Sequence, residues 1–150
     1  MPLSHYLCPS CASINRFPKE RASQSPACGR CKAPLDVSGA PIHMNDEQLQ
    51  KLIAQSPVPV LVDFYADWCG PCRTLSPILA QLSKETTGQL FVIKVDTERD
   101  QRVAASLGVQ GIPAVFLFKG GKLADKAVGL RPLPFWQQWV YPYLAPAASA

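Results

Sequence analysis

Beyond Val58 the apolar residues fall into short runs that predict strands, separated by stretches in which they recur at helical spacing. Val60-Leu61-Val62-Asp63-Phe64-Tyr65-Ala66 is a strand-length run interrupted by one carboxylate, and Leu75, Ile78, Leu79 and Leu82 follow as the inner face of an amphipathic helix. Residues 90–95 form a second apolar strand, and residues 96–107 read as a helix ended by Gly108. Upstream, Ile42-His43-Met44 is a candidate short edge strand. Asn45 and Gln48 are a capping pair for a helix whose apolar face is Leu49, Leu52 and Ile53. Alternating strands and helices of this kind imply parallel strands joined by right-handed crossovers. Residues 114–118 and 123–128 then flank Lys119-Gly120-Gly121-Lys122, the signal of a tight antiparallel hairpin. A last helix is expected from near Pro132, burying Phe135, Trp136, Trp139 and Val140 and stopped or kinked by Pro142, with residues 145–150 fraying.

The first 40 residues lack this patterning. Between Cys11 and Cys28 lie 16 residues rich in Ser, Pro, Arg and Lys with little periodicity, too few apolar groups for a core of their own. Residues 32–41, with two prolines and a glycine, read as a linker, and the boundary is placed near Gly39. A chain of 150 residues, 47% hydrophobic, suits one proper core with a smaller appendage: residues 1–38 and 39–150.

Charge adds little. Residues 1–40 hold 5 basic and 2 acidic side chains and the remainder 10 and 9, so the net +4 sits mainly at the front. Four metal-bound thiolates there would add −4 against the +2 of a zinc ion and remove most of the excess, so no nucleic-acid partner is needed to explain it. Only Tyr6 and Phe17 are available for base stacking in this segment. No apolar run reaches the roughly 18 residues of a membrane helix. Met-Pro-Leu-Ser-His-Tyr at the start has no basic region followed by an apolar one, so a cytoplasmic location is the expectation.

Six cysteines fall into three pairs of one spacing: Cys8/Cys11, Cys28/Cys31 and Cys69/Cys72. In the cytoplasm such pairs bind metal or carry redox chemistry more often than they form structural disulfides. Cys69/Cys72 stands where a strand turns into a helix, and a helix N-terminus favours an anion, hence a thiolate. The other two pairs, neither following an apolar strand nor opening an amphipathic helix, have the spacing of a four-cysteine zinc site; local or crossed disulfides and an iron–sulfur centre are the alternatives. His5 and His43 are read as ordinary surface or packing residues, since four cysteines complete the shell. Within the redox pair, Cys69 is expected to be the exposed attacking thiolate and Cys72, one turn further in, the more buried resolving thiol. Gly70 and Pro71 keep the turn tight. Asp63 is out of place in its apolar run and should have a raised pKa or a partner.

The run from Val62 through Asp67-Trp68-Cys69-Gly70-Pro71-Cys72, the later Gly111-Ile112-Pro113, and Lys119-Gly120-Gly121 before the last strand closely resemble the thioredoxin family over residues 41–145. With the cysteine-rich start included, the chain resembles the bacterial form of that family that carries an N-terminal zinc-binding segment. The resemblance implies an α/β thioredoxin fold, a central mixed β-sheet flanked by helices, with a small N-terminal zinc ribbon. It implies catalytic roles for Cys69, Cys72, Asp63 as proton acceptor and Lys94 beside it, and a cis peptide at Ile112-Pro113. A substrate surface would include Trp68, Gly70, Pro71, Gly111, Ile112, Pro113 and Gly129. One Zn²⁺ would be held by Cys8, Cys11, Cys28 and Cys31, with no organic cofactor. Tyr65, Arg73, Lys32 and Pro142 depart from the usual family residues without removing a catalytic group.

The function expected is a protein-disulfide reductase acting as a monomer on disulfide-containing proteins and regenerated by thioredoxin reductase. Two other readings remain open: the ribbon as a docking module with redox activity secondary, or a disulfide oxidant or isomerase on the same fold.

Overall fold

The computed structural model describes residues 3–144. Its centre is β4 (Val60–Tyr65), whose side chains alternate between two apolar layers. It pairs in parallel with β5 (Phe91–Asp96) and antiparallel with β6 (Ala114–Lys119). The two-residue β3 (Ile42–His43) and β7 (Lys122–Val128) close the edges, giving the mixed order β3-β5-β4-β6-β7. Val60, Val62 and Phe64 pack with Leu49 and Leu52 of α1 (Asp46–Gln55) and with Val103 and Ala104 of α3 (Arg102–Ser106). Leu61 points the other way, toward Leu75, Leu79 and Leu82 of α2 (Gly70–Glu85) and Trp136 and Val140 of α4 (Leu133–Val140). A strand covered on both faces must be apolar throughout, which is why its pattern is continuous.

The capping pair closes α1 reciprocally: the Gln48 amide donates to the Asn45 side chain at 2.8 Å, and the Asn45 amide donates to the Gln48 side chain at 3.0 Å. Such a box satisfies two otherwise orphaned donors. In α4, Trp136 and Val140 are buried, whereas Phe135 and Trp139 are only partly covered. The helix stops at Val140 and a single 3-10 turn carries Pro142. The expected fraying at 145–150 lies outside the described residues.

The helix expected over residues 96–107 is shorter, running only from Arg102 to Ser106. Asp96 Oδ1 accepts the amide of Glu98, and the Asp96 carbonyl accepts the amides of Arg99 and Asp100. This local aspartate turn competes with helix formation. The start of α3 is instead capped from a distance: the amides of Arg102 and Val103 donate to the buried carboxylate of Asp46 at 3.0 and 3.2 Å.

The N-terminal segment is also more structured than its composition suggests. An antiparallel hairpin joins β1 (Leu3–Leu7) to β2 (Ile14–Pro18), so Cys8 does directly follow a strand. Tyr6 stacks on Phe17 with centroids 4.7 Å apart. Leu7, 2% exposed, belongs to the main core beside Met44 and Leu49, and Ala12 and Ile14 pack against it. The segment gains its core by borrowing one, which compositional counting within residues 1–40 cannot detect. In the stretch read as linker, Leu35 is buried with Cys8 and Cys28, and the Ser83 hydroxyl donates to the Gly39 carbonyl. No helix among the described residues is long and apolar enough to cross a membrane.

The hairpin is seated on Gly88 between α2 and β5. The His5 amide donates to the Gly88 carbonyl at 2.9 Å. Gly88 has φ +88°, and a Cβ there would lie 2.6 Å from Cβ of Ser4. Both the left-handed backbone and the close approach demand glycine. Gly88→Ala is expected to lower stability by at least about 1 kcal/mol, read as a fall in the urea midpoint with loss of hydrogen-exchange protection at the His5 amide.

Candidate active site and metal centre

Cys69 and Cys72 form a disulfide across the first turn of α2, with Cα atoms 5.2 Å apart. Cys69 is the N-cap of the helix and Pro71 lies in its first turn, where a missing N–H costs nothing. The Cys72 amide donates to Cys69 Sγ at 3.2 Å, and that sulfur lies 3.7 Å from the Ile112 carbonyl oxygen. An amide and the positive end of a sixteen-residue helix both stabilise negative charge on Cys69 sulfur. The expected contrast in exposure is absent in this oxidised state: Cys69 is 4% and Cys72 3% exposed. Ala66, Tyr65 and Ile112 pack around the closed pair and cover both sulfurs.

The neighbouring loop meets the pair through a cis peptide at Ile112-Pro113. Gly129, at φ +101° and with open space where a Cβ would stand, donates its amide to the Pro113 carbonyl at 2.9 Å. Gly111 and Pro71 are exposed, and Gly70 and Ile112 are partly so. Trp68 is 68% exposed, and its indole N–H donates to Glu98. Trp68 and Ile112 border a cleft of about 320 Å³ completed by Thr97, Ala104, Val109 and Gln110. The contribution of the α3 region to this cleft is invisible in the sequence, because it requires the 96–100 turn to place α3 beside the redox loop.

Asp63 is fully buried with neither carboxylate oxygen hydrogen-bonded. Burial pushes its pKa up to about 6, although Lys94 pulls it down. Lys94 is the cross-strand partner of Asp63 and shares its face of the sheet. Its ammonium, however, donates to the Ser76 hydroxyl at 2.7 Å and lies 4.6 Å from the Tyr65 ring centroid. Ser76 carries no signal in a single sequence, being one of several polar positions on α2.

The other four cysteines converge at the tips of two turns built alike. In the first, the amide of Ala12 donates to the Cys8 carbonyl and the amide of Cys8 to the Ser13 carbonyl; in the second, Lys32 and Cys28 make the same bonds to Cys28 and Ala33. Ala12 and Lys32 both adopt left-handed backbone, φ 62° and 67°, which accounts for glycine being the easier residue at position 32. All four Sγ atoms lie within 4.8 Å of one another, with Cys8–Cys31 at 3.5 Å and Cys11–Cys28 at 3.7 Å. Four thiolates about 2.3 Å from a central zinc stand roughly 3.8 Å apart, so the residues fit that ion. The backbone N–H of Cys31 is the main influence holding the Cys28 thiol down to about 6, helped by the Asn15 side chain and the Arg30 amide and opposed by burial. Asn15 also accepts the Gly29 amide at 2.9 Å, tying β2 to the second turn. His5 and His43 stand outside the cluster.

Comparison with known proteins agrees with this arrangement. The family model described as Thioredoxin matches residues 40–140, and that described as Thioredoxin 2, N-terminal matches residues 7–33. Thioredoxin C-3 from Corynebacterium nephridii is 37% identical over 89% of this chain and 91% of its own length. The chloroplastic M-type thioredoxin of Chlamydomonas reinhardtii is 36% identical over 85% and 92%. A solved structure of a thioredoxin mutant from Halobacterium salinarum NRC-1 superposes with a TM-score of 0.67 at 30% identity, covering 75% of this chain and 97% of that one. A mixed sheet with a cysteine pair at the head of its long helix, joined to a four-cysteine ribbon, makes this chain a member of the thioredoxin family, whose members are thiol–disulfide oxidoreductases.

Proposed function

We propose that the protein is a cytoplasmic protein-disulfide reductase that works through the Cys69-Gly70-Pro71-Cys72 dithiol, with residues 1–38 as a zinc-ribbon segment and 39–150 as the redox domain. The observation that carries this reading is Cys69 as N-cap of α2, its sulfur accepting the Cys72 amide. In the reduced protein the Cys69 thiolate attacks one sulfur of a substrate disulfide. A Cys69–substrate bond forms, the substrate S–S bond breaks, and the departing sulfur leaves as a thiolate. Cys72, giving its proton to Asp63, then attacks Cys69 Sγ, releases the second substrate thiolate and closes the disulfide described above. Two electrons pass to the substrate, and the proton held by Asp63 returns through solvent.

Asp63 suits the proton role because it is buried, unpartnered and on the α2 side of the sheet; Tyr65, on the same face, packs against the cysteine pair. Trp68, Gly70, Pro71, Gly111, Ile112, Pro113 and Gly129 would form the surface on which an extended substrate segment lies. Thioredoxin reductase is the proposed electron donor, substrate proteins with accessible disulfides the acceptors, and a monomer the working state. Cys8, Cys11, Cys28 and Cys31 would hold one Zn²⁺ in a structural site, which supplies cross-linking to a hairpin that has little core of its own.

Cys69→Ser is expected to reduce insulin-disulfide reduction to background, whereas Cys72→Ser should accumulate a mixed disulfide detectable by mass spectrometry. Retained turnover by Cys69→Ser would overturn the assignment. A reduction potential more oxidising than that of glutathione would favour an oxidant or isomerase instead.

Asp63 also sets a pH dependence of stability. Its folded pKa, about 6, exceeds the ordinary 3.8, so the folded state binds the proton more tightly and the protein loses stability as pH rises from about 4 through 6. Asp63→Asn is therefore expected to stabilise the oxidised protein at pH 8 by an amount of order 3 kcal/mol and to have little effect at pH 4, as urea denaturation would show. Native mass spectrometry should find one zinc per chain. Chelation should unfold residues 1–38 while the near-UV circular dichroism of the redox domain persists.

A further inference from the structure

Lys94 is the one cation paired across the strands with Asp63, yet it makes no ion pair with it. Among the described residues, contacts within 4.0 Å between basic and acidic side chains join Lys51 to Glu47 and Arg99 to Asp96, and both Asp63 oxygens lack any hydrogen-bond partner. The two side chains project from neighbouring strands on one face of the sheet. An ammonium there would gain by approaching a buried carboxylate, so something must hold it elsewhere. Two contacts do: the Ser76 hydroxyl on α2, 2.7 Å from Nζ, and the Tyr65 ring, 4.6 Å from it. Tyr65 is itself oriented, its hydroxyl lying 3.2 Å from His43 Nδ1 on β3.

We propose that Ser76 is a positioning residue that, with the Tyr65 ring, tethers the Lys94 ammonium short of the Asp63 carboxylate and so leaves Asp63 free to accept the Cys72 proton. The inference deepens the proton-acceptor reading of Asp63 and rests on it. A direct ion pair would hold Asp63 ionised and weaken it as a base. An ammonium kept nearby but out of contact still moderates the cost of charging the carboxylate without abolishing its affinity for a proton.

The charged and titratable groups around this pair come from every packed element. β3 supplies His43; β4 supplies Tyr65, with Asp67 just beyond it; β5 and the turn after it supply Asp96 and Arg99; α2 supplies Cys72 and, exposed, Arg73, whose guanidinium donates to the Asp67 carbonyl. The neighbour on β6 is the apolar Val115. Asp96 and Arg99 pair with each other. Ser76 is thus the group on α2 that bonds Lys94 directly.

The test compares wild type, Ser76→Ala, Ser76→Thr and Asp63→Asn by two measurements. The first follows the Asp63 carboxyl carbon by NMR as pH is varied in the oxidised protein. The second is the pH profile of insulin reduction. Alanine is a good helix former, so Ser76→Ala should fold normally. With the tether gone, Lys94 reaches the carboxylate, and the Asp63 midpoint should fall by about one pH unit or more. The acid limb of the activity profile should move with it, and Ser76→Thr, which keeps the hydroxyl, should restore both. A Ser76→Ala midpoint equal to or above that of wild type would overturn the proposal. If Asp63→Asn instead leaves the acid limb in place, the proton-acceptor role itself fails, and the carboxyl titration still decides separately whether Ser76 controls the position of Lys94.

Discussion

Covering β4 on both faces is the constraint from which the redox end follows. Val60, Val62 and Phe64 are held by one helical layer and Leu61 by the other, so the strand cannot slip register without exposing one set or the other. Its C-terminal end is therefore fixed, and the turn that follows delivers Cys69 to the N-terminus of α2 at a defined place. The same double coverage makes Asp63 unusual. A carboxylate in the middle of this strand cannot turn to water, and its burial between the covered faces raises its proton affinity. Rigidity and pKa tuning have one cause.

Three pairs of cysteines with identical spacing end in different chemistry because of what receives their backbone hydrogen bonds. At Cys8 and Cys28 the chain reverses through left-handed backbone four residues on, at Ala12 and Lys32, and the two turns bring their sulfurs together. At Cys69 the backbone continues into a sixteen-residue helix, so the amides line up along one axis and both sulfurs lie buried at its first turn. The first geometry gathers four sulfurs around a point; the second stacks two sulfurs where a disulfide can close.

The hairpin and the redox domain share material. Leu7 lies in the main core and Gly88 seats the first strand, so the order of the ribbon and the packing around α1 and β5 are linked. The hairpin lies along α1 and the turn between α2 and β5, whereas the cysteine pair stands at the opposite end of α2 from Gly88, which leaves the surface around Trp68 and Ile112 open.

The alternation of strands and helices, the capping box at Asn45 and the Gly120-Gly121 hairpin were legible in the sequence, because each depends on residues close together in the chain; the contexts of the cysteine pairs were legible only in part, since the strand before Cys8 went unseen. Asp63 was legible too, since a charge in an apolar run announces its own cost. What lay beyond it depends on contacts distant in sequence. The Asp96 turn shortens the expected helix, Asp46 caps α3 from across 56 residues, and Leu7 finds its core in another segment. The covering of Cys69 by Ile112 and the capture of Lys94 by Ser76 arise only when β5, α2 and the redox loop are brought together. By itself the sequence determined where the three cysteine pairs and the one carboxylate of the apolar strand stand, through local pattern and helix polarity. Tertiary structure alone decided their protonation and pairing, because burial and the reach of a lysine are properties of the packed interior.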